Sequence, residues 1–468
     1  MSTTAGTTAG DAATSVSYDE LFDTVKARIP VSNTILDRAK RVCASMQITG
    51  PYRLPDNVIF VERAKGSKIW DVDGNEYLDM TMGYGPHILG HAPDVVIDAA
   101  NRAIANGTQY AIAHEHEVRL AELLVETIPC AERVSFCNSG TEATMHAIRV
   151  ARGTTGKSLI ATFEGAYHGM HDYALVGSLL SSGVGDPRRP GAETDCAGIP
   201  ESITDTVVKL AYNADESLER IRELKDELAV VLIEPIPTAL QTDISPFLRK
   251  LREVTRECGV LLLFDEVISG FRCQLGGAQA KYGIVPDLAT YGKVMGGGFP
   301  VGAVTGTESA MESILSDGNI EHDLEARKVA AIGTFNANPV TMQAGAAVIG
   351  YLRDNPETYD YINIIAERTR NELNSFAATE KIPFKLIGVD SWFMPFFGDK
   401  PFSHARDMHD PVQGARNVIF CSYLRARGVS MPDMHIAFFS AAHSEADVDR
   451  FIEISQQVLL DMREQSLF

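Results

Sequence analysis

The sequence predicts an α/β fold, with a large domain built on a mostly parallel sheet flanked by helices and a smaller α+β domain beside it. Three observations carry that reading. From about residue 95, short apolar runs alternate with stretches of helical periodicity, the pattern of strands buried on both faces with helices between them. After about residue 340 the helices lengthen and only a few strand-like pieces return. The chain of 468 residues also exceeds what one hydrophobic core organises, so two domains are expected.

Met1 to Ser17 is rich in Ser, Thr, Ala and Gly, with neither a basic start nor an apolar core. It reads as a mobile tail rather than a secretory signal, and the tail is expected to run to about residue 30. Residues 31–95 should join the small domain. Within them, alternating apolar and polar positions predict a hairpin of Val58 to Arg63 and Ile69 to Val72, turning at Asp73-Gly74-Asn75 into Tyr77 to Met80. The large domain is expected over 96–345. Its helices include His114 to Ile128 and Ala214 to Leu228, and its buried strands Val134 to Cys137, Leu159 to Phe163, Val230 to Ile233 and Val260 to Phe264. Residues 178–200 are Gly-, Ser- and Pro-rich and long for a connector, which suggests a gating loop or an unstructured segment. The small domain closes the chain over 346–468, with strand-like pieces near Phe384 to Ile387 and Ile436 to Ser440.

Composition narrows the function. The formal net charge of −20, from 42 basic and 62 acidic residues, argues against a nucleic-acid partner, which would need clustered Lys and Arg. Seven cysteines without a Cys-x-x-Cys pair point to reduced thiols in a cytoplasmic protein and give no zinc framework. No apolar run is long enough to span a bilayer. No metal is expected: His168 and His171 lack a carboxylate or Cys at ligand spacing and read as polar wall residues.

Three segments carry chemistry. Asn138-Ser139-Gly140-Thr141-Glu142-Ala143 lies between a buried strand and a helix. Free backbone N–H groups and hydroxyls at a helix N-terminus favour an anion such as a phosphate, although an ordinary Ser/Thr cap reads the same way. Leu261-Leu262-Leu263-Phe264-Asp265-Glu266-Val267 is an apolar strand ending in two carboxylates. That places Asp265 at the carboxyl edge of the sheet, where a cation must pair with it, be it a pyridinium, an Arg or a metal. Pro286 to Pro300 contains Lys293 after a short strand and before Gly296-Gly297-Gly298. A lysine withdrawn from water has a lowered pKa and becomes a nucleophilic amine able to form a Schiff base. Singly each has a bland reading. In this order they grip the phosphate, the ring nitrogen and the aldehyde of one pyridoxal 5'-phosphate.

With these residues in view, the stretch from about Val58 to His443 resembles the class III aminotransferases of pyridoxal-phosphate fold type I, closest to the glutamate-1-semialdehyde aminomutase branch. The matching text includes Asp71 to Asp79, Ile88-Leu89-Gly90-His91, Asn138 to Met145, Phe163 to Gly169, Asp265 to Arg272, the lysine segment and Gly333 to Pro339. The resemblance implies that Lys293 carries the aldimine and shuttles the proton, that Asp265 holds the pyridinium proton, and that Tyr167 stacks on the ring. It implies further cofactor contacts at Ser139, Gly140, Thr141, His168 and Val267. Thr334 would reach the phosphate from a neighbouring subunit, making a homodimer with composite sites.

On the substrate side the chain departs from that branch. An Asn-Ser-Pro-Val-Arg run is replaced by Gly50-Pro51-Tyr52-Arg53, a Trp by Tyr84, and an acid before Ala442-His443 by His435. No Asn follows Glu234-Pro235, where the text is Ile236-Pro237-Thr238-Ala239-Leu240. These changes favour an aminotransferase that passes an amino group from an amino acid or amine to a keto acceptor. The alternatives are the intramolecular shift of an aminomutase and, behind it, racemisation on the same scaffold. Arg53 and Arg272 are candidates for a substrate carboxylate, with a structural ion pair as the other reading of Arg272. Tyr52, Tyr84 and Trp392 are candidate pocket walls. A nicotinamide dehydrogenase would need Gly-x-Gly-x-x-Gly after a first strand, and none is present. A non-catalytic cofactor-binding protein is disfavoured by the intact Lys293 and Asp265.

Overall fold

The structure is a computed structural model that describes residues 18–44 and 58–468, apart from 182, 239, 241–242, 317, 399–403, 410 and 434. Its centre is a seven-stranded sheet. In spatial order the strands are Arg133–Cys137, Gly302–Gly306, Leu288–Tyr291, Leu261–Asp265, Leu228–Ile233, Leu159–Phe163 and Val207–Leu210. Gly302–Gly306 runs antiparallel to both neighbours, and the other pairings are parallel.

Leu228–Ile233 shows why the sheet is covered on both sides. All six of its residues are buried. Val231 and Ile233 pack into one apolar cluster with Leu248, Leu251 and Phe264, while Val230 and Leu232 pack into another with Ala143, Ala147 and Leu263. Alternate side chains point to opposite faces, so a strand in the middle of two helical layers must be apolar throughout. The expected helix over Ala214 to Leu228 ends sooner, as Asp215–Glu223, because Leu228 already opens this strand.

Strands from early and late in the sequence pair with each other. Val61–Lys65, Lys68–Asp71 and Glu76–Asp79 form an antiparallel set, and Val429–Ser430 adds to it in parallel against Leu78–Asp79. A second sheet pairs Phe384–Val389, Trp392–Phe397 and Ala437–Phe438. Helices Glu357–Thr379, Pro411–Ala426 and Glu445–Glu464 enclose these pieces around Leu386, Phe393, Phe420 and Phe451.

Tyr18–Arg28 is a helix, although it falls within the expected tail. Arg28 ties it down by donating to the Ala426 carbonyl at 2.8 Å and to Asn75. The segment 178–200 holds a small hairpin, Gly185–Asp186 with Arg189–Pro190. Arg406 donates to the carbonyls of Val184 and Gly185 at 3.0 Å each. Among the described residues no helix is long and apolar enough to cross a membrane.

Candidate active site

Asp265 ends its strand at the carboxyl edge of the sheet, and the alternation of side chains separates it from Glu266. Asp265 is buried. Its Oδ2 accepts from His168 Nδ1 at 2.7 Å, and its Oδ1 accepts from the Val267 amide at 3.0 Å and the Thr290 hydroxyl at 3.2 Å. Four lone-pair sites minus three donors leaves room for one more donor, which is what a protonated ring nitrogen offers. Glu266 faces the core instead, accepting from Ser269 and from the amides of Ala278 and Gln279.

Lys293 follows the strand Leu288–Tyr291 and starts a single helical turn, Lys293–Gly296, with φ of 43°. The left-handed region is uncommon for a residue with a Cβ, and such strain collects where a side chain must be aimed. Lys293 is half-buried, and the loss of water around its amine brings the pKa down to about 8 against the opposing pull of Asp265 and Glu234. At pH 7 this raises the neutral fraction by roughly two orders of magnitude over an ordinary lysine. The lysine stem packs beside Gly85, where a Cβ would stand 3.6 Å from Lys293 Cδ and 3.2 Å from Phe438 Cζ. Gly85 has φ of 110°, so conformation and space both require glycine.

The phosphate-type turn opens the helix Gly140–Thr155. Ser139 is its N-cap and accepts from the Glu142 amide at 3.1 Å. A Cβ on Gly140 would stand 2.7 Å from Val267 Cγ1, so Val267 is pressed against the turn. A Cβ on Gly169 would meet Thr141 Oγ1 at 2.6 Å, which places the Tyr167–Gly169 turn against Thr141. The Tyr167 amide is 3.3 Å from Glu234 Oε2. Strand end, lysine turn and helix start therefore converge, and their chemistry fits pyridoxal phosphate: an anionic partner for a ring nitrogen, a desolvated amine for an aldehyde, and a helix N-terminus for a phosphate.

The remaining candidates fall differently. Thr334 is exposed, and its carbonyl accepts from Gln109; the neighbouring Asn336 meets Asn138 at 2.8 Å. Tyr84 is partly buried and packs edge-on against His435, with ring centroids 4.7 Å apart. Arg272, expected at a substrate carboxylate, is fully buried. It donates to the carbonyls of Gly85 at 2.7 Å and Phe439 at 2.9 Å and to Ser391 at 3.3 Å. That is a brace between distant segments, so neither reading of Arg272, carboxylate fork or ion pair, describes it. Trp392 packs in the core with Met82, Ile236 and Phe438. Arg53 and Tyr52 lie outside the described residues.

Sequence reasoning gave no role to two residues, Glu234, noted only as the strand end before Pro235, and Glu164. Glu234 lies at the site, accepts from the Thr238 hydroxyl at 2.6 Å, and is pushed up to about 7 by burial. Its place at the end of an apolar strand was the available signal, the same that found Asp265. Glu164 receives a two-pronged contact from Arg406, at 2.8 and 3.0 Å, across 242 residues. No local pattern announces that pair. The open cleft along the edge strand Val207–Leu210 is a separate feature, and its Arg188, Arg189 and Arg220 are already paired with glutamates.

Comparison with known proteins agrees with this geometry. Residues 52–386 match the family described as aminotransferase class-III. Over 412 residues the chain is 39% identical to a glutamate-1-semialdehyde 2,1-aminomutase of Methanocaldococcus jannaschii, covering 85% of this chain and 91% of that protein. Among solved structures, it is similar to an omega-transaminase from Sphaerobacter thermophilus with a TM-score of 0.86 and 35% identity, covering 92% and 98% of the two chains. It is also similar to a transaminase with bound pyridoxal phosphate, with a TM-score of 0.82 and 28% identity over 93% and 98%.

Proposed function

The chain belongs to the class-III aminotransferase family of pyridoxal-phosphate enzymes, and from that premise we propose that it moves an amino group on small molecules through Lys293. The observation that carries this is the half-buried Lys293, its amine pKa lowered, on the same sheet edge as the buried, hydrogen-bonded Asp265. Pyridoxal phosphate, when bound, supplies an electron sink for the bond that breaks at the amino-bearing carbon. Lys293 would hold the aldehyde and would take and return the proton at the substrate carbon. Asp265, steadied by His168, would hold the proton on the ring nitrogen. The amides of Gly140 and Thr141 would receive the phosphate, and Tyr167 would lie beside the ring.

The names of the relatives favour the intramolecular shift of glutamate-1-semialdehyde over the two-substrate exchange that the substrate-side departures suggest. The exchange remains a second reading with its own support: the 35%-identical omega-transaminase, and an uncharged Tyr84–His435 pair, in which burial lowers His435 to about 4. Holoenzyme given glutamate-1-semialdehyde alone separates the two. 5-Aminolevulinate seen by mass spectrometry supports the shift. Amine transfer that appears only when a keto acceptor is added supports the exchange. Neither reaction, across a panel of α-, β- and D-amino acids and amines, would overturn both.

A second copy of the chain would complete the site. Ile332 and Phe335, on either side of Thr334 in the chain, are 91% and 60% exposed, and apolar groups so placed favour a partner surface. A monomer that stays fully active on dilution, by sedimentation and assay together, would refute this.

A further inference from the structure

Two imidazoles behind the Asp265 carboxylate each leave a buried ring nitrogen without a hydrogen-bond partner among the described residues: His168 Nε2 and His171 Nδ1. Buried polar atoms are seldom left so, and internal water is the usual remedy. Both histidines belong to the turn after Tyr167, and Thr144 ties its ends together. The Thr144 hydroxyl is 2.6 Å from the His168 carbonyl oxygen and 3.2 Å from His171 Nε2.

Counting protons fixes the ring of His171. Thr144 has one hydroxyl proton, and the carbonyls of His168, Gly140 and Thr141 around it can only accept. The proton lies on the shortest of these lines, toward His168, so His171 Nε2 donates to the Thr144 oxygen. A neutral imidazole that donates at Nε2 keeps a lone pair at Nδ1. Burial, with His168 and Arg152 adding to it against Asp265, lowers His171 to about 4, so the ring is neutral near pH 7. Arg152 itself sits over the Tyr173 ring at 4.3 Å. On the other ring, Nδ1 of His168 donates to Asp265, whose carboxylate accepts, and Nε2 is what remains.

We propose that one buried water bridges His168 Nε2 and His171 Nδ1, making His171 a positioning residue for the Asp265–His168 pair. The water donates to the lone pair of His171. It can donate to or accept from His168, so the bridge survives either protonation state of that ring. The line His171, water, His168, Asp265 then holds the His168 ring in the orientation that presents Nδ1–H to the carboxylate. Thr144 joins it to the helix that opens at the phosphate-type turn. The inference rests on the cofactor seat and not on which amino transfer the enzyme performs.

A crystal structure of the holoenzyme should show water density within about 3.2 Å of both nitrogens. With pyridine-15N cofactor, His171→Phe should move the ring-nitrogen resonance and speed cofactor release by about two- to tenfold, the worth of one hydrogen bond. His171→Asn, whose side-chain oxygen can accept, should restore both. Absent density, a direct contact between the two imidazoles, or an unchanged resonance in His171→Phe would each overturn the proposal. The wild-type density decides by itself if His171→Phe does not fold.

Discussion

Asp265 Oδ2 and His168 Nδ1 are 2.7 Å apart and both side chains are buried. A carboxylate so held has little choice but to stay an acceptor, which is the property a protonated ring nitrogen needs. Asp265→Asn keeps the shape and removes the charge. Cofactor should still bind through the helix start and Lys293, and borohydride should still fix it to the protein. Turnover should fall by roughly a hundredfold or more, as for loss of a buried electrostatic partner at the reacting group. Near-normal turnover with bound cofactor would remove Asp265 from its role.

The lowered pKa of Lys293 gives a direct pH test. Only the neutral amine attacks an aldehyde, so cofactor capture by the apo-protein should rise with pH and level off above about 8. Below that point the rate should change about tenfold per pH unit. The native lysine binds fewer protons than the unfolded one between about 8 and the ordinary value of 10.5, so its contribution should grow as pH rises through that window. Stopped-flow absorbance gives the first. A rate still climbing steeply at pH 10 would show an amine that is not desolvated.

Gly140 and Val267 supply a steric test. A Cβ at Gly140 would stand 2.7 Å from Val267 Cγ1, too near for either to remain in place. Gly140→Ala should weaken cofactor affinity by at least about tenfold, because the amides at the helix start are displaced. Val267→Ala, added to it, should recover most of the loss. Equilibrium dialysis or fluorescence of the bound cofactor measures both. Failure of the second change to rescue the first would mean that the turn is not crowded by Val267.

The legible parts of this molecule are those in which one local pattern decides the outcome. Asp265, Lys293 and Ser139-Gly140-Thr141 each sit where an apolar strand stops, and strand ends can be read from hydropathy alone. Gly302–Gly306 could not be read: Gly-Ala-Val-Thr-Gly has little apolar bulk, and it becomes a strand because two neighbours leave a gap for it. Arg272 looked available for a carboxylate, since nothing nearby in sequence shows that Gly85 and Phe439 will turn carbonyls toward it. The helix Tyr18–Arg28 was hidden for the same reason, as its anchor at Ala426 is 398 residues away from Arg28. Local chemistry was visible, and long-range satisfaction of polar groups was not.

Arg406 and Glu164 bring that point to the segment 178–200. Arg406 makes two contacts with the buried Glu164 carboxylate and two more with the carbonyls of Val184 and Gly185, so one guanidinium pins the segment to the sheet edge. Arg406→Ala should free the hairpin and leave the buried Glu164 carboxylate with His404, at 3.6 Å, and the buried Lys209 amine as weaker cationic neighbours. The cost should be roughly 1–3 kcal/mol, reduced from the fully buried case because Arg406 is partly exposed. Trypsin should then cut faster after Arg188, whose side chain is 75% exposed. Glu164→Gln in the same protein removes the stranded charge and should restore stability but not the protection of Arg188, since the carbonyl contacts are still missing. If the double variant recovers both together, the hairpin is held by something other than Arg406, and a gating role for 178–200 loses its latch.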